Sequence, residues 1–354
     1  METENLPVAE TKAKKRMPKP LARTLSFLGV TLLCALVTLL GVIWVLEKGP
    51  SPTATEIFTR SVRETSALRW VSRIFLSEEE LERYKSVSSP IEEGQSINTS
   101  LIHMAESVEE AEDDGPGFEI LDISEGTCKG KLLIVDDPKR VILGTSDDFG
   151  QAPGWELTEM VERYGAVAGI NAGGFNDEGG RGNGSTPQGL VIDDGKVTWG
   201  ANHVGGFHVV GLDEDGILHV GFMTVQQALD AHMRWAVSFE TYDGLASALI
   251  LNGEVQKNNL GGGVNPRTAI GQREDGALLL LVLDGRSIST LGATMQDLCD
   301  IMLEYGAVNA GNLDGGSSSV MVYEGKIINN CASVVGPRRI PTAFLLMKEG
   351  AVDG

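Results

Sequence analysis

The chain has 354 residues and 42% hydrophobic side chains, enough for one or two folded domains. A formal net charge of −20 argues against a nucleic-acid partner, because phosphate backbones are bound by clustered lysine and arginine. The 44 glycines favour a fold with many tight turns.

The charge is uneven along the chain. Residues 1–24 hold six basic side chains against Glu2, Glu4 and Glu10, a net of +3, so the remainder carries −20 − 3 = −23. Leu25 to Leu46 follows as 22 residues without a charged side chain, long enough to cross a bilayer as a helix. With the basic flank on its N-terminal side and Trp44 near the far end, the expected arrangement is a single-pass anchor. The tail of residues 1–24 is then cytoplasmic and everything after Glu47 lies outside the cell membrane. A cleaved signal peptide is the competing reading, but the apolar run is longer than a usual signal core and no small-x-small site follows it.

Residues 47–117 read as a stem. Gly49-Pro50-Ser51-Pro52 ends the apolar helix. From Thr55 to about Lys85, the positions Ile57, Phe58, Val62, Leu68, Val71, Ile74 and Phe75 recur at three- and four-residue steps, which predicts an amphipathic helix. Its face could pack on the main domain, lie on the membrane or pair with a second copy to give a homodimer. Residues 86–117, ending Glu112-Asp113-Asp114-Gly115-Pro116-Gly117, have the composition of a solvated linker.

A globular domain is expected over residues 118–354. Lys131–Val135 and Arg140–Gly144, split by Asp136-Asp137-Pro138, read as a hairpin. Further strands are predicted at 189–192, 207–211, 217–220, 246–251, 268–271, 278–283, 320–323 and 343–347, punctuated by turns at Asp194, Asp215, Asp275 and Glu324. Helices are predicted at about 156–164, 224–233 and 294–305. The fold class is therefore α+β, with mixed sheets and a few packed helices rather than a doubly wound parallel sheet. The soluble cysteines Cys128, Cys299 and Cys331 are odd in number and lack metal-like spacing, which leaves one disulfide or none.

The domain carries an internal repeat. Shifted by 141 positions, Arg163-Tyr164-Gly165-Ala166-Val167 falls on Glu304-Tyr305-Gly306-Ala307-Val308, and Asn171 falls on Asn312. Asp194-Gly195-Lys196-Val197 then matches Glu324-Gly325-Lys326-Ile327 at a shift of 130. If the halves pair about a pseudo-twofold axis, two glycine-bearing polar loops face one cleft. Asn171, Gly173, Gly174 and Phe175 would stand opposite Asn312, Asp314, Gly315, Gly316 and Ser317.

Those residue types suggest a division of labour. Asparagine amides can hold sugar hydroxyls, and glycine amides can cradle an anion. Asp314, set between leucine and two glycines, is the candidate acid–base residue; partial burial would raise its pKa. Asp284, at the end of an apolar run, is a second candidate carboxylate, since glycosidic hydrolysis usually employs two. Arg267, after a triple-glycine loop, and Arg338, in Gly336-Pro337-Arg338-Arg339, could each fork onto a phosphate. No cofactor is called for. Asp177, Glu178 and Asn183 could bind a structural calcium ion together with loop carbonyls, though no EF-hand spacing is present.

Five motifs in this order resemble the phosphodiester glycosidase family. They are Gly169-Ile170-Asn171-Ala172-Gly173-Gly174-Phe175, Arg267-Thr268-Ala269-Ile270-Gly271, Asp284-Gly285, Asn312-Leu313-Asp314-Gly315-Gly316-Ser317, and Pro337-Arg338 through Thr342. The resemblance covers about residues 118–350 and neither the anchor nor the stem. It implies hydrolysis of a sugar-1-phosphodiester, with N-acetylglucosamine as the sugar, to free sugar and phosphomonoester. The short basic tail and the absence of a cysteine framework look bacterial, so envelope or exopolysaccharide phosphodiesters are the expected substrates. A non-catalytic module that binds anionic glycans during exopolysaccharide assembly is the alternative.

Overall fold

Each of three antiparallel sheets in the computed structural model turns one face to a common core and has a helix over the other. The structure describes residues 19–65, 68–84, 97–104, 115–177, 182–239, 247–256, 260, 262–285, 290, 292–331 and 336–351. Most of the basic tail and much of the acidic linker lie outside these residues. By contacts the chain forms two units, residues 1–50 and residues 51–354.

The first unit is essentially one helix, α1 (Lys19–Lys48), which is long and apolar enough to cross a membrane. The second unit opens with helix α2 (Pro52–Glu64), capped by Ser51. A 3-10 turn at Arg69–Arg73 and helix α3 (Glu78–Arg83) follow. The predicted continuous amphipathic helix is thus broken into three pieces. The second break is written in the chain: Ser77 and Glu80 form a capping box that starts a new helix. The segment read as a stem is also part of the larger unit, with Val62, Val71, Leu76 and Leu81 buried.

Strands are numbered in chain order. The first sheet has seven: β1 (Phe118–Glu125), β2 (Cys128–Val135), β10 (Ala248–Leu251), β11 (Glu254–Val255), β12 (Arg267–Arg273), β13 (Leu278–Leu283) and β14 (Ala307–Asn312), in the order β1-β2-β13-β12-β14-β10-β11. The second contains β3 (Val141–Thr145), β4 (Ala168–Asn171), β15 (Met321–Tyr323), β16 (Lys326–Ile327) and β17 (Thr342–Leu346), in the order β16-β15-β4-β17-β3. The third contains β5 (Val191–Asp193), β6 (Lys196–Trp199), β7 (Gly206–Asp213), β8 (Leu218–Thr224) and β9 (Met233–Ser238), in the order β6-β5-β9-β7-β8.

Leu133, Leu280, Val282, Leu143, Ile170, Phe344, Val210 and Val237, drawn from all three sheets, form the shared core. Helix α6 (Met295–Glu304) covers the outer face of the first sheet through Leu298, Ile301 and Met302. Helix α4 (Leu157–Tyr164) covers the second, and α5 (Val225–Asp230) the third. Double coverage is why Leu278–Leu283 is continuously apolar, with all six residues buried, instead of alternating. Thr224 with Gln227, and Thr294 with Asp297, form the capping boxes that start α5 and α6. Gly165, at φ +65, ends α4 in the left-handed region.

The expected hairpin over 131–144 does not form. A 3-10 turn at Pro138–Arg140 carries the chain out of the first sheet, so β2 pairs with β1 and β13 while β3 pairs with β17.

The repeat is visible as pseudo-symmetry. The order β13-β12-β14-β10-β11 in one sheet matches β3-β17-β4-β15-β16 in the other, each ending in a two-residue hairpin. Those hairpins turn at Asn252-Gly253 and Glu324-Gly325, with φ positive at both residues as a type I′ turn requires. The spatial counterpart of β15–β16 is therefore β10–β11, whereas the sequence match had pointed to β5–β6.

Candidate active site

The two polar loops leave the ends of β4 and β14 and meet at the pseudo-axis. Asp314 N donates to Ala172 O at 3.0 Å, and Asn171 Nδ2 donates to Asp314 O at 2.5 Å. The two loops expected to share a cleft are thus joined to each other by direct bonds.

Asn171 is only 1% exposed, and three of its four side-chain hydrogen-bonding positions are taken by protein. Besides its bond to Asp314, its Oδ1 accepts from Thr268 Oγ1 at 2.9 Å and from Val320 N at 3.1 Å. These bonds tie the Asp314 loop to β4 and β12, which leaves one Nδ2 hydrogen for the expected role as a sugar ligand. Asn312, its partner in the repeat, is equally buried, and neither end of its amide has a hydrogen-bond partner.

Asp314 sits after β14 and before a 3-10 turn at Gly316–Ser318. Leu313 N donates to Thr268 O and Gly316 N to Pro266 O, both at 2.9 Å, so backbone bonds hold the residues on either side of Asp314. The glycines serve close approach and turning. A Cβ on Gly315 would meet Pro266 O at 2.9 Å, and Gly316 has φ +65. Ser317 is partly exposed beside them.

Burial pushes the Asp314 carboxyl up to about 7, against the opposing pull of the Ser318 hydroxyl, the Arg338 charge and the Gly315 amide. Asp177 adds to the upward shift. Arg338 grips Asp177 through both carboxylate oxygens, at 2.5 and 2.8 Å, and donates to Gly182 O at 2.7 Å. Its guanidinium lies 4.9 Å from the centre of the Phe175 ring. With Arg338 and Asp177 paired, the cluster is neutral when Asp314 is protonated, the state that burial already favours. Gly173 N donates to Thr342 Oγ1 at 3.0 Å and Gly174 N to Ser238 O at 3.0 Å, so these two amides are spent on the fold rather than on an anion. A Cβ on Gly173 would meet Val237 at 2.9 Å, and one on Gly174 would meet Gln188 at 2.2 Å.

Two expected members are not brought to this cluster. Arg267 shares a strand face with Ala269, which packs under α6, whereas Thr268 turns to the opposite side with Ile270. The Arg267 guanidinium is buried against Glu64 of α2, at 2.8 Å, and Gly263 O, at 2.6 Å. Glycine there makes room for a helix. A Cβ on Gly263 would meet Ser61 N at 2.2 Å, and Gly262, at φ +104, lies against the Glu64 carboxylate. Asp284 is held by Asn330 N, at 2.8 Å, and by Asn329, which also donates to Ser319 O. It stands one residue removed from the Asp314 loop, its pKa raised by burial.

The calcium reading also changes. Asp177 is committed to Arg338 and Gly182 N, Asn183 accepts from Ser185 N, and Glu178 lies outside the described residues. Among the described residues no cluster of three His, Cys, Asp or Glu forms. Asp177, Ser318, Thr268 and Thr342 escaped the sequence reading as site residues. For Asp177 a signal was present, since an acidic residue two positions after Phe175 is well placed to meet an arginine.

The sequence pattern of the phosphodiester glycosidase family matches residues 164–347, just over half of the chain, and the match spans Asn171, Asp177, Arg267, Asp314 and Arg338. The chain belongs to the phosphodiester glycosidase family. The chain is 31% identical over 252 residues to an uncharacterised prophage-derived protein, YomE, of Bacillus subtilis strain 168, covering 68% of this chain and 38% of that one. It is 26% identical over 155 residues to the Bos taurus N-acetylglucosamine-1-phosphodiester alpha-N-acetylglucosaminidase, covering 37% of this chain and 28% of that enzyme. The chain thus spans well under half the length of either relative. In fold it is similar to the zebrafish enzyme of the same name, a catalytic domain auto-inhibited by its pro-peptide. The TM-score is 0.54 at 20% identity, over 67% of this chain and 85% of the other.

Proposed function

We propose that this phosphodiester glycosidase hydrolyses a sugar-1-phosphodiester with N-acetylglucosamine as the sugar, releasing free sugar and a phosphomonoester. The observation that carries the reading is a carboxyl group pushed up to about 7 beside a clamped arginine, at the junction of two repeated loops. In this reading water adds to the anomeric carbon as the bond to the phosphate oxygen breaks, the proton that the water sheds passing to solvent, from which Asp314 regains its own. Protonated Asp314 supplies its proton to the departing phosphate, and Arg338 offsets the charge left on it. Phe175, largely buried, backs the Arg338 guanidinium and so helps hold it beside the reacting phosphate. Asn312, buried with both amide ends unpaired, is the donor–acceptor pair left for a sugar hydroxyl or acetamido group. Asp284 remains the candidate for a second carboxylate.

We further propose that α1 anchors the chain as a single-pass span, with its basic end in the cytoplasm and residues 51–354 outside. Envelope or exopolysaccharide phosphodiesters are then the substrates within reach. The test is release of N-acetylglucosamine from α-GlcNAc-1-phosphate methyl diester. Asp314→Asn is expected to lower the rate by about 10²-fold or more. Full activity in that variant would remove Asp314 from the chemistry. Absence of release by the wild-type chain from any GlcNAc-1-phosphodiester would favour a glycan-binding role instead.

A further inference from the structure

Helix α2 grips the segment that seats Asp314. Glu64 Oε1 accepts from Gly263 N at 3.0 Å, and Oε2 accepts from Asn265 Nδ2 at 2.6 Å and Arg267 Nη2 at 2.8 Å. One turn earlier, Ser61 Oγ accepts from Val264 N at 2.8 Å. Four of the five residues 263–267 are therefore bonded to one helix face. The remaining one, Pro266, faces the loop that carries Asp314 with its carbonyl, which accepts from Gly316 N, and two residues on Thr268 O accepts from Leu313 N. Glu64 is thus separated from the residues flanking Asp314 by a single short segment. The ion pair is nearly closed to water, with side-chain exposures of 5% for Arg267 and 9% for Glu64. Losing the carboxylate charge leaves a buried guanidinium that must move to find water or another partner.

We infer that Glu64 is a positioning residue, through which the helix following the apolar segment holds the 262–267 loop, and hence Asp314, in its working geometry. The kinetic part of this inference rests on the hydrolase reading. The structural part does not. A blocking role for the same helix is the opposite expectation. It is disfavoured because the carboxylate's partners lie on the α6 side of β12, away from Thr268 and Asn171.

The test compares the full-length wild type with Glu64→Gln and Ser61→Ala, using α-GlcNAc-1-phosphate methyl diester as the probe and hydrogen–deuterium exchange as a second readout. Glu64→Gln is expected to lower kcat about tenfold or more, with KM changed less than about threefold, because sub-ångström misplacement of a reacting group falls mainly on the chemical step. Exchange should quicken about tenfold in the 309–320 segment and stay at the wild-type rate in 206–224, which marks a local rather than a global loosening. Ser61→Ala should do the same to a smaller degree, and it keeps the test decisive if the glutamine variant does not fold. Unchanged exchange at 309–320 in both variants, equal acceleration in both segments, or a rise in kcat each overturns the inference. If the wild type does not cleave the probe, the hydrolase reading fails by itself and exchange alone decides the positioning role.

Discussion

Asp314 has an ordinary value of 3.8 and is pushed up to about 7, chiefly by burial, so it holds a proton where a free aspartate would not. If it is the general acid, kcat should fall about tenfold per pH unit above about pH 7. A profile flat to about pH 9 would exclude it from that role. Asp177 contributes to the raised value, and its loss would also release the Arg338 charge. Asp177→Asn should therefore move the alkaline limb to lower pH. The stability consequence has a definite sign. Because the folded-state value is raised, the folded chain binds more protons than the unfolded chain between about pH 4 and pH 7. The stabilisation from this group is present at acid pH and lost as pH rises through about 7. Asp314→Asn does not titrate, so its thermal midpoint should rise relative to wild type between about pH 4 and pH 7 and run parallel to it above. A difference independent of pH would place the pKa elsewhere.

At the level of elements, α2 and the 262–267 loop behave as one piece. Gly263→Ala would drive a Cβ to 2.2 Å from the Ser61 backbone nitrogen, a contact no rotamer relieves. Overpacking of this kind costs about 1–3 kcal/mol, which urea unfolding should register as a lower midpoint with the slope little changed. Arg267→Ala leaves the Glu64 carboxylate buried with only Asn265 and Gly263 as partners. A loss of about 3–5 kcal/mol is expected, since a buried charge without its counter-ion is far costlier than a missing pair. A change under about 0.5 kcal/mol would show that water reaches the site. Substitutions at Cys299, buried among Leu298 and Met302 with its thiol pushed up to about 12, act through packing rather than reactivity.

For the whole molecule, two half-domains of matching strand order, β13-β12-β14-β10-β11 and β3-β17-β4-β15-β16, meet where the catalytic candidates lie. The third sheet and three helices close the core around them. The equivalence of the halves ends at the loops. Asp314 has Gly173 as its counterpart, and the Asn171 amide makes three bonds where, among the described residues, that of Asn312 makes none. A chain starting at Ser51 retains the α2 contacts, whereas one starting at Phe118 uncovers Arg267 and the apolar surface under Val62 and Leu81. The shorter chain should show a lower thermal midpoint and a tendency to aggregate. The full chain should stay with membranes through an alkaline carbonate wash, and the chain from Ser51 should not. Release of the full chain by the wash would argue against α1 as a span.

Local and periodic features were legible in the residues themselves. The apolar helix, helices α4, α5 and α6, the repeat and the Asn-Leu-Asp-Gly-Gly motif depend on spacing and composition, which a single chain displays directly. The hairpin over 131–144 was misread because two apolar runs flanking a turn look alike whether they pair with each other or with strands over a hundred residues away. Arg267 and Arg338 were indistinguishable by type and context. Which one stands by Asp314 was decided by partners distant in sequence, Glu64 for the first and Asp177 for the second. Asn171 carried the right chemistry for a sugar ligand, but tertiary contacts took up three of its four hydrogen-bonding positions. The sequence determined which kinds of side chain were available and in what periodic frame. Only the tertiary structure decided which of them were left free to act, because a buried polar group must be satisfied and the fold chooses by what.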